Sequence, residues 1–299
     1  MTGSIIILLC IMGLCWGSFI NVLMLRTITG ESIITPFSKC PICSHTLLWW
    51  QKIPILSFLH LKGKCFWCGE KISIQYPVME IIGLAIFLFA FLKYNSIIDA
   101  ICTIIILSLF LTVAYTDILK NKVHMTQIGF ITLFGIILNR NDILNSVLGI
   151  VVSLVFAMIL IKLGKRFFNV ELIGEGDMYL IGALGSVTGV EYLYLYLFYS
   201  LIIQFLIVFP KYIKELIVNK KKETLKYLII FIVSCFFLYF LENLNFWGEK
   251  AIITILLSIL IYSAYKTSKN IIKDVKCANT TGYSPLAPAL AISCLIFFC

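Results

Sequence analysis

Apolar runs of the roughly 17 to 25 residues that carry a helix across a hydrocarbon core recur along this 299-residue chain, beginning with "SIIILLCIMGLCWGSFINVLML". Water is absent at that depth, so backbone N–H and C=O groups must pair within their own segment. Apolar residues on every face fit helices and not the two-residue alternation of a barrel. The fold class that follows is all-α: a polytopic membrane protein. Spans are expected near 4–25, 77–94, 97–116, 126–139, 144–161, 178–188, 190–210, 225–241, 250–265 and 285–299. That is about ten, within a range of eight to ten, because the fourth and sixth are short. The first run has neither a basic lead-in nor a small-residue cleavage site, so it reads as a retained helix and not as a signal peptide.

The net charge of +9 follows topology. With the N-terminus outside, the cytoplasmic segments 26–76, 117–125, 162–177, 211–226 and 266–284 hold 21 of the 24 lysines and arginines; Lys93, Arg140 and Lys250 remain outside. This is the positive-inside bias of a cytoplasmic membrane. The Asn-Lys-Lys-Lys run at 219–222 is such an anchor, and no nucleic-acid partner is expected.

Segment 26–76 is the one sizeable soluble piece. It carries "CPIC" and "CFWC", two Cys-x-x-Cys knuckles separated by 21 residues. Each knuckle presents two thiolates on a tight turn, and together Cys40, Cys43, Cys65 and Cys68 can complete a tetrahedral structural zinc site. In a reducing cytoplasm a metal is favoured over disulfides; a pair of redox-active dithiols is the other reading. The remaining seven cysteines lie in or near apolar runs without ligand spacing and act as small hydrophobes. His45, His60 and His124 read as ordinary loop residues.

Ionisable groups at membrane depth are costly and point to function when a partner can be named. Asp117, in "YTDILKNKV", closes a span running inward, and Asp177, in "GEGDMYL", opens one running outward. Both fall at the cytoplasmic ends of their helices. Two neighbouring carboxylates share a proton, which supplies one base and one acid for water attack on an amide. Gly174 and Gly176 would then clear room for a substrate backbone. Two other readings stay open: Asp177 as the cap of a helix beginning at Met178, and Asp117 as an interfacial charge balanced by Lys120 and Lys122.

Taken in order, these segments resemble the type IV prepilin peptidases, membrane aspartic proteases of the Gly-x-Gly-Asp kind. "GLCWGSFINVLMLR" is similar to the family's Gly-Ser-Phe-x-Asn-Val opening. Residues 38 to 81 are similar to its zinc loop, including Ile-Pro-x-Leu-Ser and the Tyr-Pro-x-x-Glu that ends at Glu80. "YTDILKNKV" and "GEGDMYLIGALG" match its two aspartate segments, and "YSPLAPALAI" its closing helix. The resemblance implies a bacterial inner-membrane enzyme that cuts the basic leader from prepilins or pseudopilins after a glycine, at the cytoplasmic face. It further implies catalytic Asp117 and Asp177, and methylation of the new N-terminus with S-adenosylmethionine, a function to which Glu80 is a candidate contributor. Glu80 equally suits an anchor of the zinc loop.

The chain departs from the family in three places. No proline follows shortly after the first aspartate, where the chain has "KNKVHM"; Tyr179 stands where a lysine is usual; and the stretch near 225–265 exceeds an eight-helix plan. Five parts result: a first span 1–25, a zinc loop 26–76, a catalytic core 77–210, an additional helix pair with basic loops 211–284, and a closing helix 285–299. Two other functions compete. One is a Gly-x-Gly-Asp protease of other membrane substrates. The other is a non-enzymatic zinc-stabilised scaffold or transporter, which lacks support from internal repeats. "GLCWG" is read as small-x-x-x-small helix packing, not as a nucleotide motif.

Overall fold

A computed structural model describes residues 3–32, 38–120, 122–163, 165–166, 174–218 and 287–298, together with 226–227, 229–230, 233, 262 and 266. The long elements are helices: α1 (Gly3–Thr29), α3 (Gln75–Lys93), α4 (Ile97–Lys120), α5 (Met125–Leu138), α6 (Ile143–Leu163), α7 (Glu175–Val218) and α8 (Ala287–Phe298). Between α1 and α3 lie a 3₁₀ turn, Trp49–Lys52, and the short α2, Leu56–His60. Among the described residues the only β-bridges are two isolated ones, Lys39 with Thr46 and Lys64 with Lys71.

Among the described residues five helices are long and apolar enough to cross a membrane: Ser4–Thr29, Gln75–Lys93, Ile97–Lys120, Ile143–Leu163 and Glu175–Gln204. The protein is therefore multi-pass and all-helical where described, with fewer spans than the ten expected. The spans expected near 225–241 and 250–265 lie outside the described residues. The expected fourth span is α5, whose 14 residues reach only about 21 Å at 1.5 Å per residue, short of a bilayer core of about 30 Å. The expected sixth and seventh form one helical run, broken in backbone conformation at Gly189 (φ 64°, ψ −176°). Only glycine adopts such angles readily, and Asn145 Oδ1 accepts the Val190 N–H just beyond the break.

The chain divides into two compact units. The first comprises Met1–Leu160, Ile173–Leu201 and Pro285–Cys299; the second comprises Ile161–Leu172 and Ile202–Ser284. All the candidate site residues belong to the first, and α4 is its hub. Its most apolar window is 61% buried, against 22 to 39% for the other four spans.

Helical periodicity splits α4 into two stripes. Ser108, Leu111 and Tyr115 face α1 and α3: Trp16 Nε1 donates to Ser108 Oγ at 2.8 Å, and Leu111 and Tyr115 pack on Ile20, Met24 and Met79. Ile106, Phe110 and Val113 enter a separate, larger core shared with Leu180, Leu184, Tyr196 and Leu290. Asp117 continues that second stripe one turn further.

Two helix crossings are closed by glycine. A β-carbon on Gly17 would lie 2.4 Å from the Met79 carbonyl oxygen, and one on Gly83 2.4 Å from Gly17 Cα. This is the small-residue packing expected of "GLCWG", with α3 as the partner. Gly149 of α6 and Gly185 of α7 approach equally closely: a β-carbon on either would meet the other's carbonyl oxygen at 2.2 Å.

Candidate active site and metal centre

The two Cys-x-x-Cys stretches fold as copies of one turn. In the first, Cys40 N–H donates to the His45 carbonyl and Ser44 N–H to the Cys40 carbonyl, both at 2.9 Å. In the second, Cys65 N–H donates to the Glu70 carbonyl at 2.7 Å and Gly69 N–H to the Cys65 carbonyl at 2.9 Å. The residue after each second cysteine has positive φ, Ser44 at 60° and Gly69 at 74°. His45 stacks on Trp67 with ring centroids 5.0 Å apart, holding one turn against the other.

All four Sγ atoms lie within 4.8 Å of one another, with Cys40 to Cys68 and Cys43 to Cys65 each at 4.0 Å. A tetrahedral zinc with Zn–S bonds of about 2.3 Å requires S···S edges of about 3.8 Å, so the cluster fits such a metal. Backbone N–H groups of Cys68 and then Trp67 bring the Cys65 thiol down to about 7. The N–H of Glu70 favours the Cys68 thiolate too, but desolvation and the neighbouring thiols outweigh it and push Cys68 up to about 12. Four crowded sulfurs cannot all ionise without a cation among them.

Glu80, in the second turn of α3, is buried, and its Oε2 accepts the Ile55 N–H at 2.7 Å. This bond ties the Ile-Pro-x-Leu-Ser stretch to the helix at a point where Ile55 itself has φ 58°, an unusual conformation for a β-branched residue. Next to it, Gln75 Nε2 donates to Asn21 Oδ1 at 2.9 Å and Tyr115 O–H donates to Gln75 Oε1 at 3.1 Å. Asn21 is the asparagine of the Gly-Ser-Phe-x-Asn-Val opening, whereas Gln75 and Tyr115 carry no mark of this role in the sequence, beyond the polar character of Gln75 in the first turn of an apolar helix.

Asp117 and Asp177 are both buried, at 0% and 1% exposure, and their carboxylates lie within electrostatic reach of one another. Asp117 comes from the last turn of α4 and Asp177 from the first turn of α7, 60 positions apart. The helix carrying Asp177 starts at Glu175, three residues earlier than a capping role at Met178 requires. Lys120 does not balance Asp117; its Nζ donates to the Ile28 carbonyl at the end of α1. Gly176 faces the loop after Asp117, where a β-carbon would stand 3.3 Å from Val123 Cβ. Gly174 is half-buried, and its carbonyl accepts the Met178 N–H at 3.1 Å.

The closing helix supplies a contact the sequence did not reveal. Ala287, the first residue of α8, donates its backbone N–H to Asp117 Oδ2 at 3.1 Å. Among the described residues Asp117 Oδ1 is buried without a hydrogen-bond partner. Pro288 follows, a residue tolerated in the first turn because the N–H it lacks has no partner within the helix. One turn on, the Leu290 carbonyl accepts a hydrogen bond from Tyr196 O–H in α7. Tyr196 is 1% exposed, whereas Tyr192, Tyr194 and Tyr199 of the same run are exposed. Asp117, α8 and α7 are thus joined through buried bonds.

Residues 11–94 match the family described as "Bacterial Peptidase A24 N-terminal domain" and residues 104–209 match the "Type IV leader peptidase family". A prepilin leader peptidase/N-methyltransferase of Bacillus subtilis is 32% identical over 200 residues, covering 66% of this chain and 79% of that relative. The chain belongs to the type IV leader peptidase family. Relatives of the same name from Myxococcus xanthus (30% over 186 residues, 60% of this chain) and Klebsiella pneumoniae (30% over 187 residues, 59% of this chain) agree with that placement. The matched region spans 55% of the Myxococcus relative and 82% of the Klebsiella one. No solved structure matches the chain significantly. The first family region ends as α3 ends, and the second begins inside α4, the helix that presents one stripe to each core.

Proposed function

We propose that this protein is a membrane aspartic endopeptidase that removes the leader of type IV prepilins or pseudopilins after a glycine, and then N-methylates the new terminus. The observation that carries the peptidase reading is the pair of buried, mutually interacting carboxylates of Asp117 and Asp177, inside the region that matches the leader peptidases. One carboxylate takes a proton from water as the oxygen attacks the scissile carbonyl carbon. The other, protonated, donates to the carbonyl oxygen. Collapse of the tetrahedral adduct breaks the C–N bond as the departing amine takes up a proton. Gly174 and Gly176 border Asp177 as the backbone against which the substrate strand would lie.

In this reading Cys40, Cys43, Cys65 and Cys68 hold a structural zinc, and four thiolates leave no coordination position for chemistry. Methylation rests on the names of the relatives. An S-adenosylmethionine sulfonium would supply the methyl group to the freed amine, and Glu80 acts by holding the loop to α3. The reaction takes place at the cytoplasmic face of a bacterial inner membrane, following the lysine and arginine distribution. The fuller architecture has about ten spans, two of them in 225–265, arranged as the five parts given above, with 77–210 as catalytic core. The bilayer and the precursor are its partners, and nucleic acid is not.

The test is cleavage of a pilin-like precursor by purified protein in lipid. Wild type cuts after the leader glycine, while Asp117→Asn and Asp177→Asn, with unchanged helicity and metal content, lose roughly 10³-fold or more. Full activity in either variant would remove that residue from the mechanism.

A further inference from the structure

The segment between α1 and α3 is not long or continuous enough in its apolar runs to cross a bilayer, yet it exposes large hydrophobic side chains. Trp49 is 78% exposed, Ile42 66%, Leu56 and Leu59 65% each, and Phe66 56%. Ile42 and Phe66 occupy x positions of the two Cys-x-x-Cys turns, so each turn presents an exposed apolar side chain. Single exposed hydrophobics need no explanation, but a group of this size on a small loop does.

Two further observations say what covers them. The first is depth. Glu80 lies five residues into α3, about 7 to 8 Å along its axis, within a span apolar enough to cross the membrane. Its bond to the Ile55 N–H places Ile55, which leads into α2 (Leu56–His60), alongside that helix turn instead of beyond the helix end. The second is charge. Segment 26–76 holds six lysines and arginines against two glutamates, with Lys52, Lys62 and Lys64 interleaved among the apolar groups. A basic surface suits anionic headgroups and repels the basic leader of a precursor. Tryptophan, leucine and lysine together are the composition of a segment lying in a bilayer interface.

We infer that the zinc loop is seated in the interface of an anionic bilayer, with Trp49, Leu56 and Leu59 below the headgroups and the lysines among the phosphates. Its metal then has a second purpose. It holds the loop in one shape, so that the apolar groups meet the lipid together beside the emerging ends of α1 and α3.

The full-length protein in nanodiscs of phosphatidylethanolamine and phosphatidylglycerol, labelled with 5-fluorotryptophan, tests this. The Trp49 resonance is assigned by its loss in Trp49→Phe. A nitroxide carried on lipid just below the headgroup should broaden it several-fold more than a water-soluble gadolinium chelate does. Exchanging phosphatidylglycerol for phosphatidylcholine should weaken the lipid effect. Leu56→Asp with Leu59→Asp, in protein that retains its metal, should reverse the order of the two reagents. Broadening mainly by gadolinium in the wild type overturns the proposal, whatever the variant does. Protection from both reagents that fades on dilution also overturns it, in favour of a second copy covering the face. A lipid effect indifferent to phosphatidylglycerol removes the anionic part of the inference.

Discussion

Gly17→Ala puts one methyl group at the tightest point between α1 and α3. A β-carbon there would stand 2.4 Å from the Met79 carbonyl oxygen, 2.7 Å from Glu80 Cα and 2.9 Å from the Glu80 carbonyl oxygen. All three neighbours are backbone, so no rotamer change relieves the contact. Reaching a separation of about 3.5 Å requires the helices to part by roughly 1 Å, and overpacking of that kind costs about 1 to 3 kcal/mol. The small core of Ile20, Met24 and Met79 opens with them, which puts the expected cost near the top of that range. A loss of about 3 kcal/mol is a roughly 150-fold shift in the folding equilibrium. It would be read from unfolding in mixed micelles of increasing dodecyl sulfate fraction, followed by circular dichroism. Gly129→Ala is the control, since nothing lies within 4 Å of its β-carbon position. If Gly17→Ala unfolds within about 0.5 kcal/mol of wild type, the helices do not cross as described and the argument from close approach fails.

Tyr196→Phe deletes a buried hydrogen bond to Leu290, whose carbonyl retains Ser293 Oγ at 3.0 Å. The expected loss is about 1 kcal/mol of stability, together with a fall in kcat for cleavage and little change in KM, measured by steady-state kinetics. Cys43→Ser should take bound zinc from one per chain to none by elemental analysis, and raise hydrogen exchange across 38–74, because metal binding and folding of such a loop are one equilibrium. Ser44→Gly relieves a left-handed conformation worth about 1 kcal/mol. Half-removal of the metal should then require roughly fivefold more competing chelator.

Much of this arrangement could be read from the residues. Uninterrupted apolar length gives the five long helices because a bilayer accepts little else, though not the joining of the expected sixth and seventh spans, and the paired Cys-x-x-Cys stretches give the four-thiol cluster because the spacing is itself the geometry of the turn. Asp117 and Asp177 stood out because each is a carboxylate at the inner end of an apolar run, where the charges of this chain are mostly basic. What could not be read is orientation between helices. Tyr192, Tyr194, Tyr196 and Tyr199 look alike in sequence, and burial of Tyr196 alone depends on where α8 packs. The Ala287 bond to Asp117 joins positions 170 apart through a backbone group, which no side-chain pattern encodes. Ser44 by itself gave no sign of positive φ; its equivalence to Gly69 in the second copy of the turn is the one hint.

The two stripes of α4 bear on how members of this family can exchange parts. The boundary between the two family regions, at 95–103, looks like a natural place to splice one relative onto another. It is a poor one. A chimera joined there takes α4 from residue 104 onward from the second parent, including Ser108 and Tyr115, which must bond to Trp16 and Gln75 of the first. Recombination should therefore be tolerated only where those four residues travel together or are already shared. Laboratory grafts between relatives should fail at this seam unless the first-region stripe of α4 is carried across with α1 and α3.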